Sequence, residues 1–108
     1  MNFKEYQEKA SVTAIYPEYI KILYPALGLA GESGEVCEKI KKAYRDNDGE
    51  FSVEKIAEIT KEIGDVLWYL SAICNDLNID LNSAAELNID KLYFRKERGV
   101  ISGNGDNR

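Results

Sequence analysis

Apolar residues recur every three or four positions along several stretches of this chain, which is the spacing of one face of an α-helix. The clearest stretch follows Ser52, a typical N-cap residue, and predicts the most buried helix of the protein. Its apolar stripe consists of Ile56, Ile59, Ile63, Val66, Leu67, Leu70, Ile73, Cys74 and Leu77.

A second stretch predicts a helix from Ala26 to Tyr44 or Arg45. Its apolar side consists of Leu29, Ser33, Val36, Cys37, Ile40, Ala43 and Tyr44. Gly31 and Gly34 each cost about 0.8–1 kcal/mol in a helix interior relative to Ala. Two such glycines predict that another helix or a ligand approaches the backbone closely.

The pattern at the N-terminus predicts a first helix capped by Asn2 and ending before Pro17, with Glu5 in the capping-box position. Residues 15–25 hold both prolines and three tyrosines, which favours a connector with a short helical turn between Glu18 and Tyr24.

A fourth helix is predicted to begin with Asn82 or Ser83 as its cap and to stop at Gly99. The glycines and short polar residues of 102–108 favour a disordered tail. The alternative is a flap that closes over a ligand, with Arg108 reaching a phosphate.

A length of 108 residues allows one domain with one core. We therefore expect an all-α fold, an antiparallel four-helix protomer. A chain this short often gains stability by pairing with copies of itself, so we expect the protomers to pack into a homo-oligomeric helical bundle. Its parts are the first helix and connector (2–25), the core helices (26–99) and the tail (100–108).

The net charge of −5 argues against broad binding to nucleic acid, and it means that an anionic substrate would need a bridging cation. Histidine is absent, which excludes Ser-His-Asp and Cys-His catalysis, the Glu-x-x-His di-iron signature and the usual zinc sites. The two cysteines, Cys37 and Cys74, fall within apolar helical patterns and are predicted to be buried free thiols.

No apolar run follows Met1, and the longest nearly apolar stretch, from Val66 to Cys74, is too short to span a bilayer. We expect a cytoplasmic protein with no membrane segment.

Two pairs of carboxylates suggest the chemistry. Glu32 with Glu35, and Glu62 with Asp65, are each three residues apart and so project from one face of a helix. Four oxygen donors on two antiparallel helices suit Mg²⁺, with Mn²⁺ as a substitute. The alternative is that these are boundary charges of ordinary amphipathic helices. Glu38 follows Glu35 at the same three-residue spacing. It would be either an auxiliary metal ligand or a surface residue.

Cationic side chains accompany these carboxylates. Lys39 lies on the same flank as Glu32 and Glu35, and the fourth helix carries Lys91, Arg95 and Arg98 at helical spacing. A basic helix end complements the helix dipole, and it is also what a triphosphate would need. Asn88, one turn before Lys91, could hydrogen-bond a phosphate oxygen.

Three segments carry a resemblance to a known family: residues 28–42 (GLAGESGEVCEKIKK), 61–70 (KEIGDVLWYL) and 88–92 (NIDKL). They resemble the MazG-like nucleotide pyrophosphohydrolases of the all-α NTP pyrophosphatase superfamily, over roughly residues 27–101. The family pattern is E-E-x-x-E followed by E-x-x-D. Gly31 replaces its first glutamate, so four ligand candidates remain: Glu32, Glu35, Glu62 and Asp65.

The resemblance implies hydrolysis of a nucleoside triphosphate between the α and β phosphates, to give a nucleoside monophosphate and pyrophosphate, in nucleotide-pool housecleaning. Either Glu35 or Glu38 would hold or deprotonate the attacking water. Phosphate contacts would come from Lys39, Asn88, Lys91, Arg95 and Arg108, and base contacts from Trp68, Tyr69 and the N-terminal aromatics. Family members are dimers or tetramers, so a homo-oligomer is expected.

Two other hypotheses remain. The first is a non-enzymatic helical oligomerisation module, in which acidic flanks meet basic flanks of another protomer. The second is a di-iron or di-manganese carboxylate bundle, which the absence of histidine disfavours. The identity of the nucleotide, its sugar and its base stay open at this point.

Overall fold

The protein is entirely helical. A computed structural model describes all residues, 1–108. The helices are α1 (Phe3–Ser11), α2 (Leu23–Asn47), α3 (Val53–Asp76) and α4 (Leu81–Glu97), with one 3₁₀ turn, Glu18–Ile20, in the connector between α1 and α2. The prediction of an all-α, four-helix protomer is confirmed.

Two of the predicted caps start their helices. The Asn2 side chain accepts a hydrogen bond from the Glu5 amide at 2.9 Å, and the Ser52 hydroxyl accepts one from the Lys55 amide at 3.0 Å. The predicted cap of α4 is wrong, because Asp80 takes that position. Its carboxylate accepts from the Asn82 amide at 3.1 Å and from the Ser83 hydroxyl at 2.8 Å.

Helix α2 begins at Leu23, three residues before the predicted start. Pro25 therefore lies in the first turn, where the missing N–H would have no helical partner and the fixed φ fits the helix. At the other end, Asp48 and Gly49 have φ of 52° and 79°, and this left-handed pair ends the helix.

Helices α2 and α3 form the main pair of the fold. They pack along each other and are joined by residues 48–52, a loop short enough to make them antiparallel neighbours. Helix α1 lies against α3, and α4 contacts α1.

The protomer encloses little core of its own. Five residues are buried: Pro25, Ala43, Ser71, Ala72 and Arg95. The radius of gyration is 16.8 Å, compared with about 13 Å for a compact chain of this length. Ile56 and Ile63 on the α3 stripe are 53% and 55% exposed. Helix α3 is the most buried helix, as predicted, although α2 and α1 leave part of its apolar stripe uncovered.

The two cysteines differ in exposure. Cys74 is half-buried, whereas Cys37 is exposed, so the prediction of two buried thiols is wrong for Cys37. None of the helices combines the length and apolar character that crossing a bilayer requires.

The tail forms a closed loop instead of the expected disordered segment. The Arg108 guanidinium donates to the carbonyls of Val100, Ile101 and Gly105, at 3.1, 2.7 and 2.6 Å. One arginine side chain has five N–H donors, which is enough to hold three backbone carbonyls that have no helical partner.

Candidate metal centre

Three carboxylates converge where α2 packs on α3. Three carboxylate oxygens, one each from Glu32, Glu62 and Asp65, lie within 4.8 Å of one another. Glu62 and Asp65 share a face of α3 because they are three residues apart, and Glu32 joins them from the antiparallel neighbour. Oxygen ligands around one Mg²⁺ lie roughly 3–4 Å apart, given metal–oxygen distances of about 2.1 Å. Small side-chain rotations would thus let all three hold one cation.

The cluster has a strong excess of negative charge. The hydrogen bond between Glu32 and Glu62, followed by burial, raises the pKa of Glu32, and the charges of Asp65, Glu62 and Glu35 add to the effect. Lys39 compensates weakly, because its ammonium lies 3.7 Å from a Glu62 oxygen. A divalent cation held by these carboxylates would neutralise part of this charge.

Two predicted residues lie outside the cluster. Glu35 is exposed and supplies no oxygen to the three-carboxylate group, although its charge still acts on Glu32. Glu38 forms ion pairs with Lys41 at 2.8 Å and with Lys42 at 3.6 Å. The hydrogen bond from Lys41 is the main reason why the pKa of Glu38 is lowered, and Lys42 adds to the effect. The roles proposed for these two glutamates in activating water stay predictions.

A pocket of about 380 Å³ opens beside the cluster, lined by Thr13, Glu32, Asp65, Trp68 and Tyr69. The rings of Trp68 and Tyr69 meet edge to face, with centroids 5.1 Å apart and planes at 90°. The structure thus brings the two predicted base-binding aromatics next to two of the carboxylates. A flat apolar wall beside hard oxygen donors suits a ligand with a ring at one end and a phosphate at the other.

The absence of a side chain at Gly28 leaves room for the Tyr69 ring. A Cβ added to Gly28 would collide with the tyrosine ring. Tyr24 continues this aromatic group, with its ring centroid 6.3 Å from that of Tyr69. Burial, and then Tyr24, raises the pKa of Tyr69, so the phenol stays neutral beside the carboxylates.

Gly31 and Gly34 have a different environment. No side chain, and no backbone of another element, lies within 4 Å of a Cβ added at either position. The prediction of a close helix at these glycines is therefore wrong within the protomer, where they leave an open face on α2.

The cations of α4 lie in a different pocket, of about 400 Å³. Lys91 and Arg95 bind the Asp106 carboxylate at 2.7 and 3.2 Å, and Arg108 lines the same pocket. Asn88 is exposed on this helix. Within one protomer, Lys39 is thus the only predicted phosphate-binding residue that lies beside the carboxylate cluster.

Thr13 also lines the pocket beside the carboxylates, although the sequence pattern does not predict it. Its hydroxyl accepts a hydrogen bond from the Trp68 indole nitrogen at 2.7 Å. The two residues are 55 positions apart, so no local sequence pattern predicts their contact.

The chain is similar in sequence to known proteins. The family model described as the MazG nucleotide pyrophosphohydrolase domain matches residues 24–100. The chain is 44% identical, over 114 aligned positions covering all of both chains, to the Gene 37 protein of Mycobacterium phage L5. No solved structure matches the chain. Because the family model covers most of the chain, including every carboxylate of the cluster, the chain belongs to the MazG nucleotide pyrophosphohydrolase family.

Proposed function

We propose that this protein is a Mg²⁺-dependent nucleoside triphosphate pyrophosphohydrolase. It would cleave between the α and β phosphates, to release a nucleoside monophosphate and pyrophosphate, in housecleaning of the nucleotide pool. The observation that carries the proposal is the convergence of Glu32, Glu62 and Asp65 beside an aromatic pocket, in a chain of the MazG family.

The three clustered carboxylates would hold the metal, and Glu35 would complete the set by turning towards it. When bound, Mg²⁺ neutralises phosphate charge and acidifies a bound water. Glu35 or Glu38 would take the proton from the attacking water. The water oxygen would bond to the α phosphorus as the bridging bond to the β phosphate breaks, and pyrophosphate would leave.

Binding of the nucleotide would be divided between two kinds of side chain. Trp68 and Tyr69 would contact the base, since their rings line the pocket beside the carboxylates. Lys39 would contact a phosphate, because its ammonium lies beside the carboxylates and its ion pair with Glu62 is long, at 3.7 Å.

The remaining phosphate contacts, Asn88, Lys91, Arg95 and Arg108, would come together with the metal centre in a homo-oligomer, either a dimer or a tetramer. Support comes from the expanded protomer and from apolar side chains on open faces, such as Leu27, which is 65% exposed. Faces of that kind are normally covered by another subunit.

The reaction is tested by identifying the products with ³¹P NMR, using Mg²⁺ and a panel of natural and modified nucleoside triphosphates. We expect a nucleoside monophosphate and pyrophosphate, and loss of turnover in Glu35→Gln. Glu54→Gln serves as the matched control, because Glu54 is exposed in the first turn of α3. Release of a nucleoside diphosphate and orthophosphate would contradict the proposal. No turnover, together with no Mg²⁺-dependent thermal shift, would favour the oligomerisation module.

A further inference from the structure

The Thr13 hydroxyl is hydrogen-bonded on both sides. It donates to the Ala10 carbonyl at the end of α1, at 2.7 Å, and accepts from the Trp68 indole N–H, also at 2.7 Å. A hydroxyl has a single proton, so donation to Ala10 turns a lone pair towards the indole. The indole nitrogen can only donate, so the two groups match in direction as well as in distance.

Trp68 lies between two pockets. One is the pocket of about 380 Å³ beside the carboxylates, and the other is a more apolar pocket of about 290 Å³ under the connector. Thr13 and Trp68 line both pockets; the other residues of the second are Ile15, Tyr16, Pro17, Ile20 and Tyr24. The hydrogen-bonded pair is therefore the partition between them, and an indole released from Thr13 has apolar space to move into.

The connector is fixed on α3 at a second place. The Asp76 carboxylate accepts from the Tyr16 hydroxyl at 2.7 Å and from the Ile22 amide at 2.8 Å. Thr13 is thus held between the end of α1 and this anchor. Because both sides of Thr13 are tied down, its hydroxyl is a preorganised support for the indole and not a mobile loop group.

We infer that Thr13 is a positioning residue, which holds the Trp68 indole in place as the wall of the carboxylate-lined pocket. The inference rests on the proposed function, in that the wall would meet the nucleobase. The wall does not touch the reacting phosphates, so its loss should weaken binding of ground state and transition state alike. Thr13 would therefore act on KM and leave kcat almost unchanged.

The first test uses the fluorescence of Trp68, which is the only tryptophan of the chain. Thr13→Val keeps the shape of the side chain and removes the hydroxyl with both of its hydrogen bonds, whereas Thr13→Ser keeps the hydroxyl. We expect Thr13→Val alone to shift the emission maximum and change acrylamide quenching in the protein without metal or nucleotide. Thr60→Val is the control, since Thr60 is exposed on α3 and its hydroxyl bonds the Ile56 carbonyl of its own helix. Unchanged emission and quenching in Thr13→Val would overturn the inference.

The second test is steady-state kinetics on whichever nucleotide the wild-type protein hydrolyses. Thr13→Val should raise KM about three- to tenfold, as expected for loss of the hydrogen bond that holds the indole, with kcat within about twofold. Thr13→Ser should restore the wild-type KM. In Trp68→Phe, which lacks the indole donor, adding Thr13→Val should change KM no further. A fall in kcat at constant KM, or additive effects in the double variant, would overturn the inference.

The two tests distinguish a failure of the proposed function from a failure of the inference about Thr13. If no nucleotide is hydrolysed, the proposed function fails, and the fluorescence of Thr13→Val still decides whether Thr13 positions the indole. If Thr13→Val is unstable, thermal melts of all variants, including Thr13→Ser, show whether the spectral change accompanies unfolding. A spectral change that appears only with unfolding would reject a positioning role.

Discussion

Lys39 on α2 lies 3.7 Å from Glu62 on α3, and this is the only salt bridge that the clustered carboxylates make. One ammonium faces three carboxylates, so the cluster is poorly neutralised by the protein itself. The hydrogen bond with Glu62, burial and the neighbouring carboxylates raise the pKa of Glu32. The metal-free protein and the metal-bound protein should therefore respond differently to pH.

We expect metal-free protein to lose stability as pH rises through the pKa of Glu32. Its hydrogen bond with Glu62 raises that pKa above the ordinary value of 4.5, so the folded state binds the proton more tightly than the unfolded state. The free energy of unfolding should then fall from about pH 4.5 upward, through the raised pKa. Glu32→Gln should lack this slope, as measured by urea unfolding at a series of pH values.

Glu54→Gln is the control for this pH series and should keep the wild-type slope. Mg²⁺ at neutral pH should stabilise the wild type and Glu54→Gln, and have little effect on Glu32→Gln. Equal slopes in wild type and Glu32→Gln would show that folding does not raise the pKa of Glu32.

Gly28→Ala should destabilise the protein, because the new methyl group would collide with the ring of Tyr69. Overpacking typically costs about 1–3 kcal/mol, more than the roughly 1 kcal/mol that Ala gains over Gly in a helix. The control is Gly31→Ala, where the added Cβ has open space and should stabilise α2 by about 0.5–1 kcal/mol. Chemical unfolding measures both; equal stability of the two variants would contradict the account.

Asp76→Ala should lower the free energy of unfolding by about 2–3 kcal/mol, since two hydrogen bonds to a carboxylate are lost. One of them holds Ile22, whose φ of 69° and ψ of −55° form a strained γ-turn closed by the Leu23 amide and the Lys21 carbonyl at 2.7 Å. Urea unfolding of Asp76→Ala, Tyr16→Phe and the double variant completes the test. We expect Tyr16→Phe to cost little once Asp76 is gone, and full additivity would show that the two residues are independent.

The fold was largely predictable because its signals are local. Asn2 and Ser52 cap helices within three residues of themselves, and the apolar stripes need no partner to be recognised. The sequence places both prolines in a connector that ends at Pro25, whereas the first turn of a helix tolerates proline and α2 begins at Leu23. Asp80 was missed because Asn82 and Ser83 nearby are equally good caps by residue type.

The site was predictable only as far as single helices determine it. Spacing places Glu62 and Asp65 on one face of α3. It cannot decide whether Glu32 or Glu35 meets them, because that depends on how α2 is rotated against α3 by packing. The contact of Thr13 with Trp68 depends on the path of the connector, which no local pattern fixes.

Asp106→Asn should lower KM for the nucleotide about two- to fivefold at low salt. Lys91 and then Arg95 lower the pKa of Asp106, so this carboxylate stays charged and occupies cations that would contact phosphate. The effect should shrink as NaCl is added, because the Asp106 side chain is 77% exposed. Glu97→Gln on the exposed side of α4 is the control. A higher KM in Asp106→Asn would mean that the tail positions these cations instead of competing for them.

The most direct test of the metal centre is pyrophosphate release as a function of Mg²⁺ concentration, in wild type, Asp65→Asn and Glu54→Gln. Asp65→Asn keeps the shape of the side chain and removes the ligand charge. We predict saturable Mg²⁺ dependence in wild type and Glu54→Gln, and a loss of kcat/KM on the order of 100-fold or more in Asp65→Asn. Wild-type turnover in Asp65→Asn, or turnover that persists after the metal is chelated, would contradict the claim that the Glu32, Glu62 and Asp65 cluster is the catalytic metal site.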